Sequence, residues 1–240
     1  MAEGAADCEC RLTLSPIIVP DLHGEYELLQ QVLARFPERD YVFLGDLVDR
    51  GPDSPSTVQR VLDLVLDKRA ILVLGNHEDM WIRGAKYQHM DYFRCWLQNG
   101  GEATLKQYEP LGRTLPDHIE LIEHHAYQWY TVQTPHGPVL CVHGSRPHPS
   151  VYGWADDPQH CKHLSRHADA HLWQGNGVSA HPLPEGCAYS VHGHLPQRQA
   201  RWRDDPSGKY LLLDTGPVKS GLLSVLDTHD LNIHTFSRND

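Results

Sequence analysis

Four short apolar runs, each followed by Asp, His or Asn, constrain this chain more than any other feature of its sequence. Runs of this length that are rich in Val and Ile predict buried strands. In open α/β sheets, ligand sites form at the carboxyl ends of the strands. We therefore expect the polar residues after these runs to lie together. The runs are Ile17–Val19, Tyr41–Leu44, Ile71–Leu74 and Val139–Val142.

The polar residues are Asp, His and Asn, a mixed oxygen and nitrogen set that contains no thiolate. Such donors suit manganese, iron or zinc. Asp46 lies 25 residues after Asp21, and Asn76 lies 30 residues after Asp46. The sequence therefore indicates a hydrolase with two metal ions. The motifs are Asp21-Leu22-His23-Gly24, Gly45–Gly51, Gly75-Asn76-His77-Glu78, Val142-His143-Gly144 and His192-Gly193-His194.

Two segments between the strands show the period of an amphipathic helix. One carries an apolar stripe from Leu28 to Leu33, and the other fits the i, i+3, i+4, i+7 template from Val58 to Val65. Ser54 is placed to cap the second helix, with Pro55 at its first position. A third helix is expected to begin near His77. This alternation predicts a largely parallel sheet flanked by helices.

The second half of the chain is richer in strand patterns. Trp129–Thr134 and Val139–His143 flank a turn-like Pro-His-Gly-Pro segment and predict a hairpin. Further strands are expected at Lys209–Leu213, Gly221–Leu226 and Leu231–Phe236. We expect two sheets packed face to face and covered by helices. The length suits one sizeable core, so residues 13–240 are predicted to form a single domain after a flexible segment of residues 1–12.

From about Leu14 to Leu226, these motifs resemble the calcineurin-like metallophosphoesterases, and within them the phosphoprotein phosphatase branch. Asn99-Gly100-Gly101, with Thr104, is similar to the bacterial serine/threonine protein phosphatases. Asp214-Thr215-Gly216 with Gly221 resembles the final core hairpin of the family. The resemblance implies an α/β fold, a four-layer α/β/β/α sandwich.

The resemblance also implies a bridging carboxylate. Two cations about 3.5–4 Å apart repel each other, and a shared carboxylate offsets that repulsion. Such ions lower the pKa of bound water to about 7, so hydroxide is the expected nucleophile. We expect two divalent ions, manganese ahead of iron or zinc. One ion is assigned to Asp21, His23 and Asp46, and the other to Asp46, Asn76, His143 and His194.

Three further roles follow from the resemblance. His77 is expected to act as the general acid that protonates the departing oxygen, with Asp49 accepting a hydrogen bond from its ring. Arg50 is expected to grip two phosphate oxygens through its planar fork, and Asn76 also to contact the phosphate. The alternative for His77 is a third metal ligand or a structural histidine.

The chain departs from the family pattern in three places. Pro20 stands before the first aspartate, where it fixes φ. Gln174–Gly177 follows Trp173 where the family has a second phosphate-binding arginine, and Arg146 and Arg198 are the candidates to replace it. His192 is expected to be packed or exposed to water, with contact to substrate or metal as the alternative.

Composition narrows the class of protein. A formal charge of −10 argues against a general nucleic-acid binder, which needs a basic surface. No apolar run has the length of a membrane span, and no signal-peptide pattern opens the chain, so we expect neither membrane insertion nor secretion. The six cysteines show no C-x-x-C spacing, which is typical of reduced thiols in the cytoplasm.

Three other features have a structural and a functional interpretation. Cys8 and Cys10 are expected to lie in the flexible N-terminus, with a metal or redox contact as the alternative. His163, His167 and His171 recur every four residues and are expected to form a solvated helix face rather than a metal site. The aromatic and apolar residues of the insertion Gly84–Gln128 are expected to pack on the core rather than line a substrate groove. They are Met90, Tyr92, Phe93, Trp96 and Leu97.

Three functions remain. The first is hydrolysis of phosphoserine or phosphothreonine in proteins, which Gly45–Gly51, Asn76–Glu78 and Asn99–Gly101 favour. The second is symmetrical hydrolysis of diadenosine tetraphosphate on the same metal core. The third is a non-catalytic scaffold, which the complete ligand set together with Asp49 and Arg50 disfavours. The expected partner is thus a phosphorylated protein or a nucleotide.

Overall fold

The computed structural model describes residues 12, 15–148, 160–161, 170–173 and 181–239. The strands are β1 (Ile17–Val19), β2 (Tyr41–Phe43), β3 (Ala70–Leu72), β4 (Trp129–Val132), β5 (Val139–Val142), β6 (His160–Cys161), β7 (Tyr189–His192), β8 (Arg201–Asp205), β9 (Gly208–Leu212), β10 (Leu222–Asp227) and β11 (Ile233–Ser237). The helices are α1 (Tyr26–Arg35), α2 (Ser54–Leu66), α3 (Asn76–Trp81), α4 (Met90–Trp96), α5 (Glu102–Tyr108), α6 (Thr114–His125), α7 (Ala170–Trp173) and α8 (Pro217–Ser220).

The strands form two mixed sheets. The first has the order β11-β10-β1-β2-β3, with β1, β2 and β3 parallel and β10 antiparallel to β1. The second has the order β6-β4-β5-β7-β9-β8, with β5, β7 and β9 parallel. The predicted alternation of strands and helices in the first half of the chain is confirmed.

Alternate side chains of the first sheet enter two separate cores, as the two-residue period of a strand requires. Ile17 and Val19 of β1 pack with the helices, among them α1 and α2. Ile18, between them, packs with Val139 and Cys141 of β5 in the second sheet. The two sheets therefore lie face to face, with helices over the outer face of the first, and the predicted α/β class is confirmed.

One hairpin prediction holds and another does not. β4 and β5 pair antiparallel across the predicted turn. The strands around Asp214-Thr215-Gly216 do not pair with each other: β9 lies in the second sheet, and β10 lies in the first. β9 pairs instead with β8, which precedes it directly. β8 has the sequence Arg-Trp-Arg-Asp-Asp and is largely exposed, so it contains no apolar pattern from which a strand could be predicted.

The start of α2 also differs from the prediction. Asp53, not Ser54, is the N-cap residue, and its side chain accepts a hydrogen bond from Ser56 N at 3.0 Å. Ser54 is the first helical residue, and its hydroxyl accepts from the backbone N–H of Asp49 at 3.1 Å. The hydroxyl of Ser54 is thus engaged with the Asp49 loop, and the helix is capped by Asp53, a residue type that is equally favoured at this position.

The insertion of residues 84–128 is helical. A five-residue π turn, Ile82–Lys86, links α3 to α4, and a second, Leu97–Gly101, links α4 to α5. Trp96 is fully buried and stacks on Trp81 with 6.2 Å between the rings, whereas Met90 is 56% exposed. Tyr92, Phe93 and Leu97 are partly buried and pack against the same core. Core packing is thus confirmed for four of the five residues named in the prediction, with Met90 as the exception.

Several predictions fall outside the described residues. These concern most of the segment of residues 1–12, with Cys8 and Cys10, and also His163, His167, the side chain of His171 and the segment Gln174–Gly177. In the ranges that the structure describes, no helix has both the 18-residue length and the apolar composition that crossing a bilayer requires.

Candidate active site

The side chains predicted as metal ligands meet at the carboxyl ends of strands from both sheets. Asp21, Asp46 and Asn76 follow β1, β2 and β3 of the first sheet within four residues. His143 directly follows β5, and His194 lies two residues after β7. All of these side chains are buried except that of His194, which is partly exposed.

The loops that carry these residues have an unusual backbone. Five of the eight non-glycine residues with positive φ in the described part of the chain are candidate site residues. Such a conformation costs on the order of 1–3 kcal/mol for a residue with a side chain, and it clusters at functional sites. The five are His23, Asp46, Asp49, Arg50 and His194.

One group of donor atoms forms around His143. Its Nδ1 lies 2.7 Å from the carbonyl oxygen of Leu44, which makes Nδ1 the donor, so Nε2 faces the site and offers a lone pair once its proton is displaced. That Nε2 lies 2.9 Å from Asn76 Oδ1 and 3.2 Å from His194 Nδ1. Asn76 Oδ1 is also 2.9 Å from His194 Nδ1. Lone pairs directed at one point in this way fit a cation.

A second group forms around His23. Its Nδ1 donates to the carbonyl oxygen of Val48 at 2.8 Å, so Nε2 is left to face the site. Nε2 lies 3.7 Å from Asp46 Oδ2 and 2.8 Å from Nη1 of Arg50. The other oxygen of Asp46 lies 3.4 Å from His143 Nε2. Asp46 therefore belongs to both donor groups, the position expected of a bridging ligand.

Burial and charge set the protonation of the ligand set. Burial lowers the pKa of His23 to about 3 and that of His194 to about 4, which keeps both rings neutral. Burial also lowers the pKa of His143, but the charges of Asp46 and Asp21 outweigh it and raise that pKa to about 10. Burial, with Asp214 and Asp46 nearby, raises the pKa of Asp21. Such closely spaced carboxylates favour a bound cation.

Two residues of the predicted motifs, Glu78 and Gly193, support the carboxylates in roles that the sequence did not reveal. Glu78 is fully buried, and its two oxygens accept from the backbone N–H groups of Asp46 and Leu47, each at 2.7 Å. At Gly193, an added Cβ would lie 2.3 Å from Asp21 Oδ1. Glu78 fixes the loop of Asp46, and a larger residue at position 193 would displace Asp21.

His77 and Asp49 form a buried pair beside the donor groups. His77 Nδ1 lies 2.6 Å from Asp49 Oδ2, and both residues are at most 1% exposed. The backbone N–H of His77 donates to Asp46 Oδ1 at 2.9 Å. With Nδ1 engaged, Nε2 faces the site, 3.9 Å from Asp46 Oδ2. His77, His23 and Asp46 also lie close enough together to hold an ion.

The insertion supplies two further contacts to Asp49. Trp96 Nε1 donates to both oxygens, at 3.0 and 2.9 Å, and Thr104 Oγ1 donates to Oδ1 at 2.5 Å. Trp96 was expected to be only a core residue, and Thr104 drew attention only through its motif. Neither residue is near Asp49 in sequence, so no local pattern reveals the contact.

Arg50 lies exposed at the edge of the site. Its Nε donates to the carbonyl oxygen of Asn99 at 3.2 Å. Gly100 has φ +114°, and a Cβ there would lie 2.9 Å from Arg50 Cγ. The Asn-Gly-Gly segment therefore packs closely against the side chain of Arg50.

The two candidates for a second phosphate-binding arginine differ. Arg146 is fully buried, and its guanidinium donates to Ser190 Oγ at 2.9 Å. Its other nitrogens donate to the backbone carbonyls of residues 181 and 207–209, at 2.8–3.4 Å. The proposed phosphate role of Arg146 is therefore wrong, because its donors hold loops together. Arg198 is exposed.

His192 occupies the packed position that we expected. It is fully buried between Ser190 Oγ and the carbonyl oxygen of Gly144, each at 2.7 Å from a ring nitrogen. Burial lowers its pKa to about 4. His192 is therefore a neutral structural residue with both nitrogens engaged.

Comparison with known proteins identifies the family. The model of the calcineurin-like phosphoesterases matches residues 16–220, and the chain belongs to that family. A symmetrical bis(5'-nucleosyl)-tetraphosphatase of Aeromonas salmonicida is 29% identical over 197 residues, which are 79% of this chain and 60% of that protein. A PP2A-like serine/threonine-protein phosphatase of Saccharomyces cerevisiae is 35% identical over 96 residues, 38% of this chain and 25% of that protein.

The chain spans only 18–44% of the length of four other curated relatives. Among solved structures, a serine/threonine phosphatase of Saccharomyces cerevisiae has a TM-score of 0.59 at 14% identity, covering 93% of this chain and 80% of that one. A putative diadenosine tetraphosphatase has a TM-score of 0.58 at 21% identity, covering 94% of both chains. These likenesses establish the fold, the predicted α/β/β/α sandwich.

Proposed function

We propose that the chain is a phosphoesterase with two metal ions that hydrolyses phosphoserine and phosphothreonine in proteins. One observation carries the proposal. The buried His77–Asp49 pair lies where two groups of donor atoms share Asp46: one is formed by His23, Asp46 and His77 itself, and the other by Asp46, His143 and His194. A proton donor beside a dinuclear centre is suited to expelling an alkoxide from a phosphomonoester.

The family and the donor set together support two divalent cations. Asp46 is shared, and manganese is our first candidate, ahead of iron and zinc, because the donors are oxygen and nitrogen. When bound, the cations supply Lewis acidity that lowers the pKa of water and offsets the charge of the phosphate. We assign one ion to Asp21, His23 and Asp46, and the other to Asp46, Asn76, His143 and His194.

The side chains of this protein then divide the remaining work. Arg50 lies exposed beside His23, with its Nε on the carbonyl oxygen of Asn99 and its Nη1 on His23 Nε2. A cation at His23 Nε2 would displace Nη1, and the planar fork of Arg50 would then bind two phosphate oxygens. Asn76 is our second candidate for a phosphate contact. His77 Nε2 holds the proton that passes to the departing oxygen, and Asp49 holds the opposite ring nitrogen.

The acid pair favours a phosphomonoester over an anhydride. A serine or threonine alkoxide leaves poorly without a proton, whereas a nucleotide phosphate is already a stable leaving group. General acid assistance contributes most to the poorer leaving group. The fully buried contact between His77 and Asp49 is therefore of most use on a phosphorylated hydroxyl amino acid.

Symmetrical hydrolysis of diadenosine tetraphosphate is the second candidate. The Aeromonas salmonicida relative, which bears that activity in its name, aligns with 79% of this chain, a larger share than the yeast phosphatase does. The same two donor groups would serve an anhydride. The substrate would then be a nucleotide rather than a phosphoprotein.

We also propose that the protein works in the cytoplasm. Among the cysteines whose side chains the structure describes, Cys95, Cys141 and Cys187 are free thiols. Unpaired cysteines are typical of a reducing compartment.

A direct assay separates the two substrates. The manganese-loaded chain is incubated with a phosphothreonine peptide and, separately, with diadenosine tetraphosphate, and product release is followed. Peptide turnover with an intact dinucleotide supports the first proposal. Cleavage of the dinucleotide to two diphosphates with little peptide turnover would move the assignment to the second. Inactivity on both would leave the scaffold or another phosphoester.

A further inference from the structure

Asp49 is held by more hydrogen bonds than its contact with His77 requires. Its Oδ2 faces His77 Nδ1, while Thr104 Oγ1 donates to Oδ1 and Trp96 Nε1 donates to both oxygens. The carboxylate is completely buried. A buried charge is costly unless it is hydrogen-bonded, so each of these donors is needed where it stands.

Thr104 also fixes the backbone of the same residue. Its Oγ1 accepts from the N–H of Asp49 at 3.0 Å, and Ser54 Oγ accepts from that N–H at 3.1 Å. Asp49 has φ +74°, a conformation that a residue with a side chain keeps only when its surroundings impose it. One hydroxyl group thus holds both the main chain and the carboxylate of Asp49.

We propose that Trp96 and Thr104 are positioning residues for general acid catalysis. Thr104 occupies Oδ1 and Trp96 Nε1 bridges both oxygens, which fixes the plane of the carboxylate and directs Oδ2 at Nδ1 of His77. That contact in turn keeps Nε2 of the ring facing the leaving group. Neither residue touches the substrate. The inference rests on the proposed function, because it assigns Trp96 and Thr104 to the proton-donating part of that reaction.

Three variants remove or keep the hydrogen-bond donors of Thr104 and Trp96 without opening a large cavity in the core. Thr104→Val keeps the shape of the side chain and loses the hydroxyl, Thr104→Ser keeps the hydroxyl, and Trp96→Phe keeps an aromatic ring and loses the N–H. The matched controls are Thr57→Val and Trp202→Phe, while Trp81 is left unchanged because Trp96 stacks on it. Thr57 is a buried threonine whose hydroxyl donates to the carbonyl of Asp53, and Trp202 lies on β8 with its ring against Tyr189 and Lys209.

The manganese-saturated enzymes are assayed on phenyl phosphate, which has a poor leaving group, and on p-nitrophenyl phosphate, which has a better one. Thr104→Val and Trp96→Phe should lower kcat on phenyl phosphate about tenfold, part of the general-acid contribution, and lower it less on the nitrophenyl ester. KM should change by less than about twofold, because no ground-state contact is lost. Thr104→Ser should recover most of kcat, and the two controls should match the wild type.

A double-mutant cycle with His77→Asn tests whether the effect passes through His77. If it does, Thr104→Val causes no further loss of kcat once His77 is gone, since effects that act through one group are not additive. Losses that multiply in the His77→Asn background would overturn the proposal and make Thr104 a merely structural residue.

A measurement that needs no turnover keeps the proposal separate from the proposed function. In the NMR spectrum of the zinc-loaded protein, whose ions are diamagnetic, the His77 Nδ1 proton is assigned by its disappearance in His77→Asn. Thr104→Val and Trp96→Phe should shift this resonance, and Thr57→Val should not. If the wild type hydrolyses neither ester, the proposed function fails while a shifted resonance still supports the positioning. An unchanged resonance refutes the positioning even in an active enzyme.

Discussion

The ligand loops and the helical insertion supply two parts of the candidate site in different ways. The predicted ligands lie within a few residues of strand ends in both sheets, and backbone contacts such as those of Glu78 fix their loops. Apart from His77, the side chains that hold the carboxylate of Asp49 come instead from residues 96–104, which belong to neither sheet and which also supply the carbonyl bonded to Arg50 Nε. The ligand set therefore depends on the sheets, whereas the proton-donating pair depends on side chains of an added segment.

This difference predicts that damage to the two parts has separable effects. Changes at the strand ends should remove metal, and turnover of every substrate should fall with it. Changes at His77 or in the insertion should leave the metal in place and alter turnover or substrate affinity alone.

Asp46→Asn should cause the largest loss. It removes the charge that belongs to both donor groups, so affinity for the metal pair should fall by more than about a hundredfold, beyond the losses known for outer partners of ligands. Metal analysis after gel filtration measures the ions retained per chain. Asp53→Asn, which alters a helix cap away from the ligands, is the matched control. Two retained ions in Asp46→Asn would refute the bridging role.

His77→Asn should keep both ions but lower kcat on phenyl phosphate by about 10²–10³, and by less on p-nitrophenyl phosphate. The physical reason is that the better leaving group departs without a proton. Steady-state kinetics and metal analysis of the same sample provide the test. His118→Asn is the control, since His118 is a buried histidine bonded to Tyr108 and Gln59. Loss of an ion would instead support His77 as a ligand.

Metal affinity should rise with pH. Burial lowers the pKa of His143, but Asp46 and Asp21 raise it to about 10, so the ring carries a proton at neutral pH in the metal-free protein. A cation at Nε2 must displace that proton, and each unit of pH below about 10 should weaken binding about tenfold per proton released. Manganese titrations between about pH 6 and 8 measure this slope. An affinity independent of pH would contradict the assignment.

Gly100→Ala should have the smallest effect and should leave metal content unchanged. The new Cβ would lie 2.9 Å from Arg50 Cγ, so Arg50 must move, and we expect KM for phenyl phosphate to rise severalfold, by about three to ten. Gly112→Ala is the control, because Gly112 also has positive φ but nothing lies within 4 Å of its Cβ position. Equal KM values in the two variants would show that backbone strain alone was measured.

The sequence predicts the ligand half of this site well and its support poorly. Buried strands such as β1 produce apolar runs, and their ligands follow at once, so both can be found locally. The exposed strand β8 produces no such run, so its pairing with β9 was not predicted. The hairpin expected after β9 failed because β9 and β10 lie in different sheets, and no local pattern reports that separation. Thr104 lies 55 residues from Asp49, and no local period reports a contact at that separation.

Polar residues gave the least reliable predictions, because their partners decide their roles. Arg146 follows a ligand loop and looked available for phosphate, yet its donors face Ser190 and backbone carbonyls. Ser54 had the right residue type for a helix cap, yet its hydroxyl accepts a hydrogen bond from the N–H of Asp49 instead. Residue type limits what a side chain can bind, but only the packed structure selects the partner.

A crystal structure with manganese bound, with the ions located from their anomalous scattering, tests the central claim most directly. The account predicts two ions, with Asp46 in contact with both. One should be held also by Asp21 and His23, and the other by Asn76, His143 and His194, while His77 remains bonded to Asp49. A single ion, or an ion coordinated by His77 Nε2, would contradict the separation of metal ligands from the proton donor.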